Sequence, residues 1–355
     1  MPRPIKAAIS LDALRHNLAV VRRHAPRASV FAVIKANAYG HGVLRAARAL
    51  AGADGIALLE IDDAVRLRDA GFGKRLALLQ GVFEAAELQV AAAHDLTIVI
   101  HNQEQLRMLD AARDSARFDV LLKIDTGMNR LGFTPRAARD VLAGLKHHRA
   151  VRRLTLMTHF ATADDARGVA WQMQAFDEIA AGSKLQRCLA NSAAILRYPE
   201  THADWVRPGI MLYGCTPFAD VTAEQLGLQP AMTLASEIIA VRELRPGERI
   251  GYGGTFEATQ AKRVGIVACG YADGYPRHAP TGTPILVGGR RARTLGRVSM
   301  DMLCIDLSGI STAQIGTPVT LWGEGLSADE VAAAAGTVSY ELLCALAPRV
   351  PVIEA

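Results

Sequence analysis

Lys35 ends an uninterrupted apolar run, Ala32-Val33-Ile34, and is followed by Ala36-Asn37-Ala38-Tyr39-Gly40-His41-Gly42. A lysine in such a place is costly unless its amine is used or paired. Burial lowers the pKa of an amine and leaves it nucleophilic toward an aldehyde. Arg130 lies in a second block, Lys123-Ile124-Asp125-Thr126-Gly127-Met128-Asn129-Arg130-Leu131-Gly132. A guanidinium in a glycine-containing loop can fork onto a carboxylate. Asn191-Ser192 and Arg207-Pro208-Gly209-Ile210 add a hydroxyl and backbone amides of the kind that cradle a phosphate. His159 ends a further apolar run. Singly, each has a plain structural reading, since lysines snorkel to a rim and glycine loops are common. Together they supply an amine nucleophile, a phosphate cradle and a carboxylate clamp. That set suits a phosphate-bearing aldehyde cofactor and an amino-acid substrate.

These groups need a scaffold that delivers them to one place. Eight short apolar runs recur from Val30 to Gly214, most of them continuous rather than alternating: Val30–Ile34, Gly55–Leu59, Leu76–Leu79, Thr97–Ile100, Val120–Ile124, Leu154–Thr158, Arg187–Ala190 and Ile210–Tyr213. Continuous apolar runs suit strands buried on both faces of a parallel sheet. Helical stretches separate them. Asn102 reads as an N-cap with Gln105 three residues on, and Asp62 to Ala70 stops at Gly71. Eight strand-helix units in this length predict a (β/α)8 barrel, with an open doubly wound sheet as the alternative. In a barrel the chemistry sits at the C-terminal strand ends, where Lys35, Asp125, His159 and Asn191-Ser192 fall, with Arg207-Pro208-Gly209 just ahead of the eighth run.

After about Gln229 the texture changes. Glu237–Val241, Arg263–Ala268, Pro284–Val287, Met302–Asp306 and Pro318–Trp322 follow one another without long helices, apart from a helical stretch at Ala328–Ala335. Turn residues separate them, as at Arg245-Pro246-Gly247 and Gly288-Gly289. The α/β chain thus divides into a barrel, residues 1–229, and a mainly antiparallel β domain, residues 230–355.

Bulk properties narrow the class. The chain has 355 residues, half of them apolar, enough for two cores. No apolar run reaches the ~18 residues of a membrane span, and Met1 to Leu18 lacks the pattern of a secretory signal, so a cytoplasmic location without membrane attachment is expected. The net charge of +5 is small and its basic residues are scattered, which speaks against a nucleic-acid partner. Five cysteines lie far apart with no C-x-x-C pair, so neither a metal site nor a disulfide scaffold is expected.

Beyond the Lys35 and Arg130 blocks, three others stand in the order Arg207-Pro208-Gly209-Ile210-Met211-Leu212-Tyr213-Gly214, Gly270-Tyr271-Ala272-Asp273-Gly274-Tyr275 and Gly296-Arg297-Val298-Ser299-Met300-Asp301. With these five blocks the sequence resembles the alanine racemases over nearly its whole length. The resemblance implies that Lys35 holds pyridoxal 5′-phosphate (PLP) covalently. Tyr39, Ser192, Gly209, Ile210 and Tyr340 would hold its phosphate, His159 would lie beside its ring, and Arg207 would face the pyridine nitrogen. Arg130 and the backbone around Met300 would bind the substrate carboxylate region, with Tyr271 as a pocket wall. Tyr252, in Gly251-Tyr252-Gly253-Gly254-Thr255-Phe256, matches the second catalytic base opposite Lys35. The family is a homodimer with shared sites, so Tyr252 and Met300 would act across the interface on L- or D-alanine, either supplying D-alanine for peptidoglycan or degrading it. Three positions set this chain apart or leave a question. Cys188 stands where some members carry histidine behind Arg207, Phe256 replaces a tyrosine, and Lys123 matches a position carbamylated in some members.

Rival readings differ at identifiable residues. A decarboxylase on the same plan would want an acid against the pyridine nitrogen, and Arg207 argues against it. A non-catalytic PLP-binding protein needs only the barrel and leaves the residues after Gln229, with Tyr252, unexplained. A racemase of wider substrate range remains open. The other conspicuous residues read as structural: Tyr275 as core or wall, His41 as a loop residue, Asp273 as a cap or pairing group, and Trp171, Trp205 and Trp322 as packing.

Overall fold

The computed structural model describes residues 3–355. Strand β1 (Lys6–Ile9) precedes eight parallel strands that close a barrel. They are β2 (Ser29–Val33), β3 (Gly55–Leu58), β4 (Arg75–Leu78), β5 (Leu96–Ile100), β6 (Phe118–Lys123), β7 (Val151–Met157), β8 (Gln186–Cys188) and β9 (Trp205–Val206). Closure is made by β2 on β9, with Ser29 opposite Trp205 and Val30 opposite Val206. The continuous apolar runs are buried on both faces, as in β5, all five of whose residues are buried. Helices fill the intervals. Asn102 caps the helix Gln103–Asp110 by accepting from Gln105 N, and Gln105 turns back to accept from His101 N.

The eighth strand is not where the apolar pattern puts it. Ile210–Tyr213 is a buried 3-10 turn ending at Gly214, and the barrel closes through Trp205–Val206 instead. A short, fully buried apolar run looks the same whether helical or extended, so periodicity has no signal to separate the two. The displacement matters. Arg207, Pro208 and Gly209 now follow the last strand and stand at the C-terminal face of the barrel, where the chemistry is built.

The remaining strands form one eight-stranded sheet and a small hairpin. These are β10 (Met232–Leu244), β11 (Arg249–Ile250), β12 (Phe256–Glu257), β13 (Lys262–Val267), β14 (Pro284–Val287), β15 (Arg290–Leu295), β16 (Leu303–Asp306), β17 (Pro318–Trp322) and β18 (Val352–Glu354). The order is β13-β16-β15-β14-β17-β10-β1-β18. The long β10 pairs antiparallel with β17 along its first half and with β13 along its second, across an irregularity at Ile238–Ala240, so six strands close on themselves. Both chain ends join this sheet: β1 runs antiparallel to β10 and β18 runs parallel to β1. No described helix is long and apolar enough to cross a membrane.

The N-terminal end of the barrel carries a charge cluster. Asp119, nearly buried at the start of β6, accepts from Arg75 (2.9 Å) and Arg152 (2.8 Å). Arg75 also lies 4.8 Å from the Trp205 ring, which stacks on Phe31. Removing one partner of a buried pair strands the other charge. Asp119→Ala is therefore expected to cost about 3 kcal/mol of stability. Urea unfolding should show it as a lowered midpoint, with the kcat of the folded fraction unchanged because the cluster lies at the end opposite the strand C-termini.

Candidate active site

Lys35 follows β2 and begins an irregular turn. Ala36, Asn37, Ala38 and Tyr39 all have φ between 51° and 53°, a left-handed run without a single glycine. For L-residues this conformation costs about 1–2 kcal/mol each, so the surroundings must impose it. His41 does part of that work. It is buried, and its Nδ1 lies 2.8 Å from Tyr39 O and 3.0 Å from Ala38 O. Both partners are carbonyls, so Nδ1 carries the hydrogen. Burial lowers the imidazole pKa to about 4. His41 is thus the loop residue expected from sequence, in the turn before the helix Val43–Ala49, and is also a buried clamp. Asn37 Oδ1 accepts from Val43 N, and a Cβ on Gly40 would come within 2.2 Å of Leu343 O. The turn delivers the Tyr39 ring onto Tyr213 (centroids 4.5 Å) and toward Tyr340 (6.0 Å). Tyr213 in turn donates to Val33 O in β2.

The Lys35 amine is half-buried. It makes no hydrogen bond or ion pair with the described residues. Burial lowers its pKa and Arg130 lowers it further. Lys123, at the end of β6, is pushed down to about 8 by burial, then by Arg207 and Arg130. Arg130 is exposed on the loop after β6, with no carboxylate partner among the described residues. Its loop is shaped by Asp125, whose Oδ1 accepts from Gly127 N (2.9 Å) and Asn129 N (3.0 Å). Trp171 packs so closely on Gly127 that a Cβ there would lie 2.2 Å from the indole. The site therefore gathers cations without counter-ions, which favours an anionic ligand.

Arg207, buried just after β9, shows how its guanidinium is held. Nη1 donates to Cys188 O (2.6 Å) and lies 3.0 Å from Cys188 Sγ. Nη2 donates to Thr158 O (2.7 Å) and Leu189 O (3.0 Å), and reaches His159 Nδ1 at 3.4 Å. A guanidinium only donates, so His159 Nδ1 accepts and the ring hydrogen sits on Nε2. Burial, then Arg207, holds the His159 pKa well below the ordinary imidazole value, so the ring is neutral. Cys188 thereby supplies, through sulfur and carbonyl, support for Arg207. Behind His159 lies a polar network that sequence reasoning missed. Gln172 donates to Thr126 Oγ1 and His159 O, and Thr158 Oγ1 donates to Ile124 O. Nothing in residue spacing marks Gln172; only its burial on a helix facing the barrel mouth does.

Opposite Arg207 a cradle is formed. Ser192 Oγ accepts from Gly209 N at 2.9 Å. The helix Ser192–Arg197 and the 3-10 turn Ile210–Tyr213 both begin here, and the first N–H groups of a helix have no internal acceptor. Such N–H groups favour a phosphate. A Cβ on Gly209 would stand 2.6 Å from Tyr39 Oη, so the space beside the tyrosine is kept open by glycine alone. Tyr340, from the helix Ser339–Cys344, borders the same space through Tyr39. The structure thus brings together Lys35, Tyr39, His159, Ser192, Arg207, Gly209, Ile210 and Tyr340. It does not bring Tyr252, Met300 or Tyr271 to them: among the described residues no hydrogen bond, ion pair or ring contact makes that link. Tyr252 lies 70% exposed at the tip of the β11–β12 hairpin, and Met300 is 52% exposed.

The donor set fits a phosphorylated pyridine aldehyde: an unpaired amine, a glycine-kept space with a hydroxyl and the unbonded amide of Ile210, and a guanidinium fixed by carbonyls. An α/β barrel joined to a closed antiparallel sheet carries this half-buried amine and its neighbouring cations at the barrel mouth, an arrangement suited to a small anionic ligand. Comparison narrows the class. Residues 9–217 match the family model for the alanine racemase N-terminal domain, and residues 231–354 that for the alanine racemase C-terminal domain. The alanine racemase of Nitrosospira multiformis is 61% identical over 352 residues, covering 98% of this chain and 99% of its own. That of Thiobacillus denitrificans is 60% identical, covering 99% and 96%. The crystal structure of biosynthetic alanine racemase from Pseudomonas aeruginosa superposes with a TM-score of 0.96 at 50% identity, covering 99% of both chains. The alanine racemase of Acinetobacter baumannii gives 0.93 at 38%, covering 99% and 100%. The chain belongs to the alanine racemase family, and its activity is the interconversion of L- and D-alanine.

Proposed function

We propose that this racemase works with PLP held on Lys35, and that Lys35 and Tyr252 are the two bases on opposite faces of the substrate Cα. The observation that carries the reading is the unpaired Lys35 amine beside the Tyr39–Ser192–Gly209 cradle. Bound there, PLP supplies an electron sink for the pair left at Cα when a proton departs. The chain's own residues do the rest. Arg130 has a guanidinium free to fork onto the substrate carboxylate. Tyr39, Tyr340, Ser192 and the amides of Gly209 and Ile210 hold the phosphate. Arg207 spends its Nη hydrogens on Cys188, Thr158 and Leu189, leaving Nε to face the ring nitrogen. An arginine accepts no proton, so negative charge stays at Cα and reprotonation there is favoured over side reactions.

Tyr252 and Met300 are exposed and share no hydrogen bond or ring contact with the Lys35 site among the described residues, which supports a homodimer in which they complete the partner's site. Tyr271 lines the same wall. The chemistry then divides between residues 1–229, which carry the cofactor, and residues 230–355, which carry the second base. Five unpaired cysteines suit a reducing cytoplasm. Substrate in both directions is free alanine, whether the flux makes D-alanine for peptidoglycan or removes it.

Incubating the purified protein with PLP tests this reading. The expected result is a new absorption band shifted from that of free PLP, with loss of optical rotation from L-alanine. A racemising protein that neither binds nor needs PLP contradicts it. Two further outcomes follow. Arg207→Glu gives the ring nitrogen an acid partner, so pyruvate release relative to racemisation should rise by about tenfold or more; an unchanged ratio contradicts the role of Arg207. Capture of PLP needs the neutral amine, which predominates above the pKa. Because burial and Arg130 lower the Lys35 pKa, uptake by the apoprotein should stay fast below the free-lysine range near ~10.4 and slow only as pH falls through the lowered value. Stopped-flow absorbance across pH reads this limb, and a limb at the free-lysine position contradicts the amine's environment.

A further inference from the structure

We propose that Asp273 is a positioning residue for substrate capture: with Arg3 and Arg349 it fixes the Ser299–Asp301 turn that presents the Met300 backbone. The inference rests on the reading that Met300 serves the substrate carboxylate.

Asp273 is fully buried, and a carboxylate in that state must be compensated by donors. Four reach it. Arg3 forks onto both oxygens (2.7 and 2.9 Å), Arg349 Nε donates to Oδ1 (2.7 Å), and Gly270 N donates to Oδ2 (2.9 Å). The two arginines lie near opposite ends of the chain. Neither arginine stops there. Arg349 continues to Asp301 Oδ1 (2.6 Å) and Arg3 to Asp301 O (2.8 Å). One buried anion thereby anchors two cations that hold the residue after Met300 by its side chain and its carbonyl.

The backbone completes the fixture. Tyr271 N donates to Ser299 O and Ala272 N to Met300 O, both at 3.0 Å, and Ser299 N donates to Met302 O (2.9 Å). A Cβ on Gly270 would lie 2.3 Å from Met300 O, so the two turns touch without room for a side chain. Met300 O is consumed inside the fixture, while Met300 N has no acceptor among the described residues. The turn therefore holds the Met300 N–H unbonded among the described residues, beside a side chain that is 52% exposed. Burial opposes ionisation of Asp273, but the hydrogen bonds from Arg3 and Arg349 outweigh it and keep the carboxyl below its ordinary range. The anchor is thereby favoured as an anion.

A purely structural clasp and a positioning clasp differ in what its loss changes. The side chains of Arg3 and Arg349 are each 40% exposed, so removing them leaves no hole in the core. The test uses the full-length enzyme loaded with PLP and the variants Arg3→Ala, Arg349→Ala, the double variant and Arg349→Lys. The double variant is expected to raise KM for L-alanine on the order of tenfold with kcat within about twofold, the mark of lost ground-state binding. Bound cofactor should remain as in the wild type, and Arg349→Lys should recover part of the KM. An unchanged KM in the double variant overturns the inference, as does a fall in both parameters that follows lost cofactor and lowered Tm. Failure of the underlying reading shows elsewhere, as a wild-type protein that binds no PLP.

Discussion

Lys35→Ala is expected to abolish both the cofactor absorption band and racemisation, with activity lower by about 10⁴-fold or more. The size follows from two losses at one atom. On the proposed function, the amine is the attachment point for PLP, and once substrate has taken that place the same amine is the base on one face of Cα. General acid-base catalysis alone contributes about 10²–10⁴-fold, and loss of anchorage adds to it. The fold should survive, because Lys35 forms no hydrogen bond or ion pair and its burial disfavours its charge. Removing an uncompensated cation relieves a cost rather than creating one. Thermal unfolding of the apoprotein should therefore show a Tm at or above that of the wild type. A variant that racemises alanine at more than about one per cent of the wild-type rate would assign the chemistry to another amine.

Tyr252→Phe should keep the band and lose about 10²–10⁴-fold in turnover. L- and D-alanine have equal free energies, so kcat/KM for racemisation must fall equally in both directions. The informative readout is exchange of the α-hydrogen in D₂O, followed separately for each enantiomer. With the phenol gone, exchange should stop for the enantiomer whose α-hydrogen faces Tyr252 while it persists for the other, on the Lys35 face. Equal residual exchange from both enantiomers would mean that one base serves both faces. The variant should fold normally, since Tyr252 is 70% exposed at a hairpin tip and packs against no core.

The barrel was legible because its strands must be buried on both faces, and seven apolar runs carry that demand openly. The eighth failed for a physical reason: Ile210–Tyr213 is as apolar as a strand because its 3-10 turn is wholly buried, whereas Trp205–Val206 is too short to show a pattern. The helix Ala328–Ala335 and strands β14 and β17 fall where composition places them. Strand β15 was invisible, since Arg290, Arg291 and Arg293 face solvent on a hairpin. Strands β1 and β18 lie far apart in sequence, and only the folded sheet makes them neighbours.

Of the site, the chemically loud residues could be read early. Lys35, Arg130, His159, Ser192 and Arg207 each break an apolar or glycine-rich pattern. The quiet supports could not. The left-handed run Ala36–Tyr39 consists of residues that ordinarily avoid that conformation, and the clamp that enforces it, His41, looks like a loop residue. Gln172 acts through a buried amide with no sequence mark. Asp273 depends on Arg3 and Arg349, whose pairing is a product of the fold alone.

The most direct test of the cofactor's place is chemical. Protein loaded with PLP is reduced with borohydride, digested, and the peptides are sequenced by mass spectrometry. The pyridoxyl group is expected on Lys35, in the peptide containing Ala36-Asn37-Ala38-Tyr39, at close to one per chain. A label on Lys123, or one scattered over surface lysines with Lys35 unmodified, would contradict it.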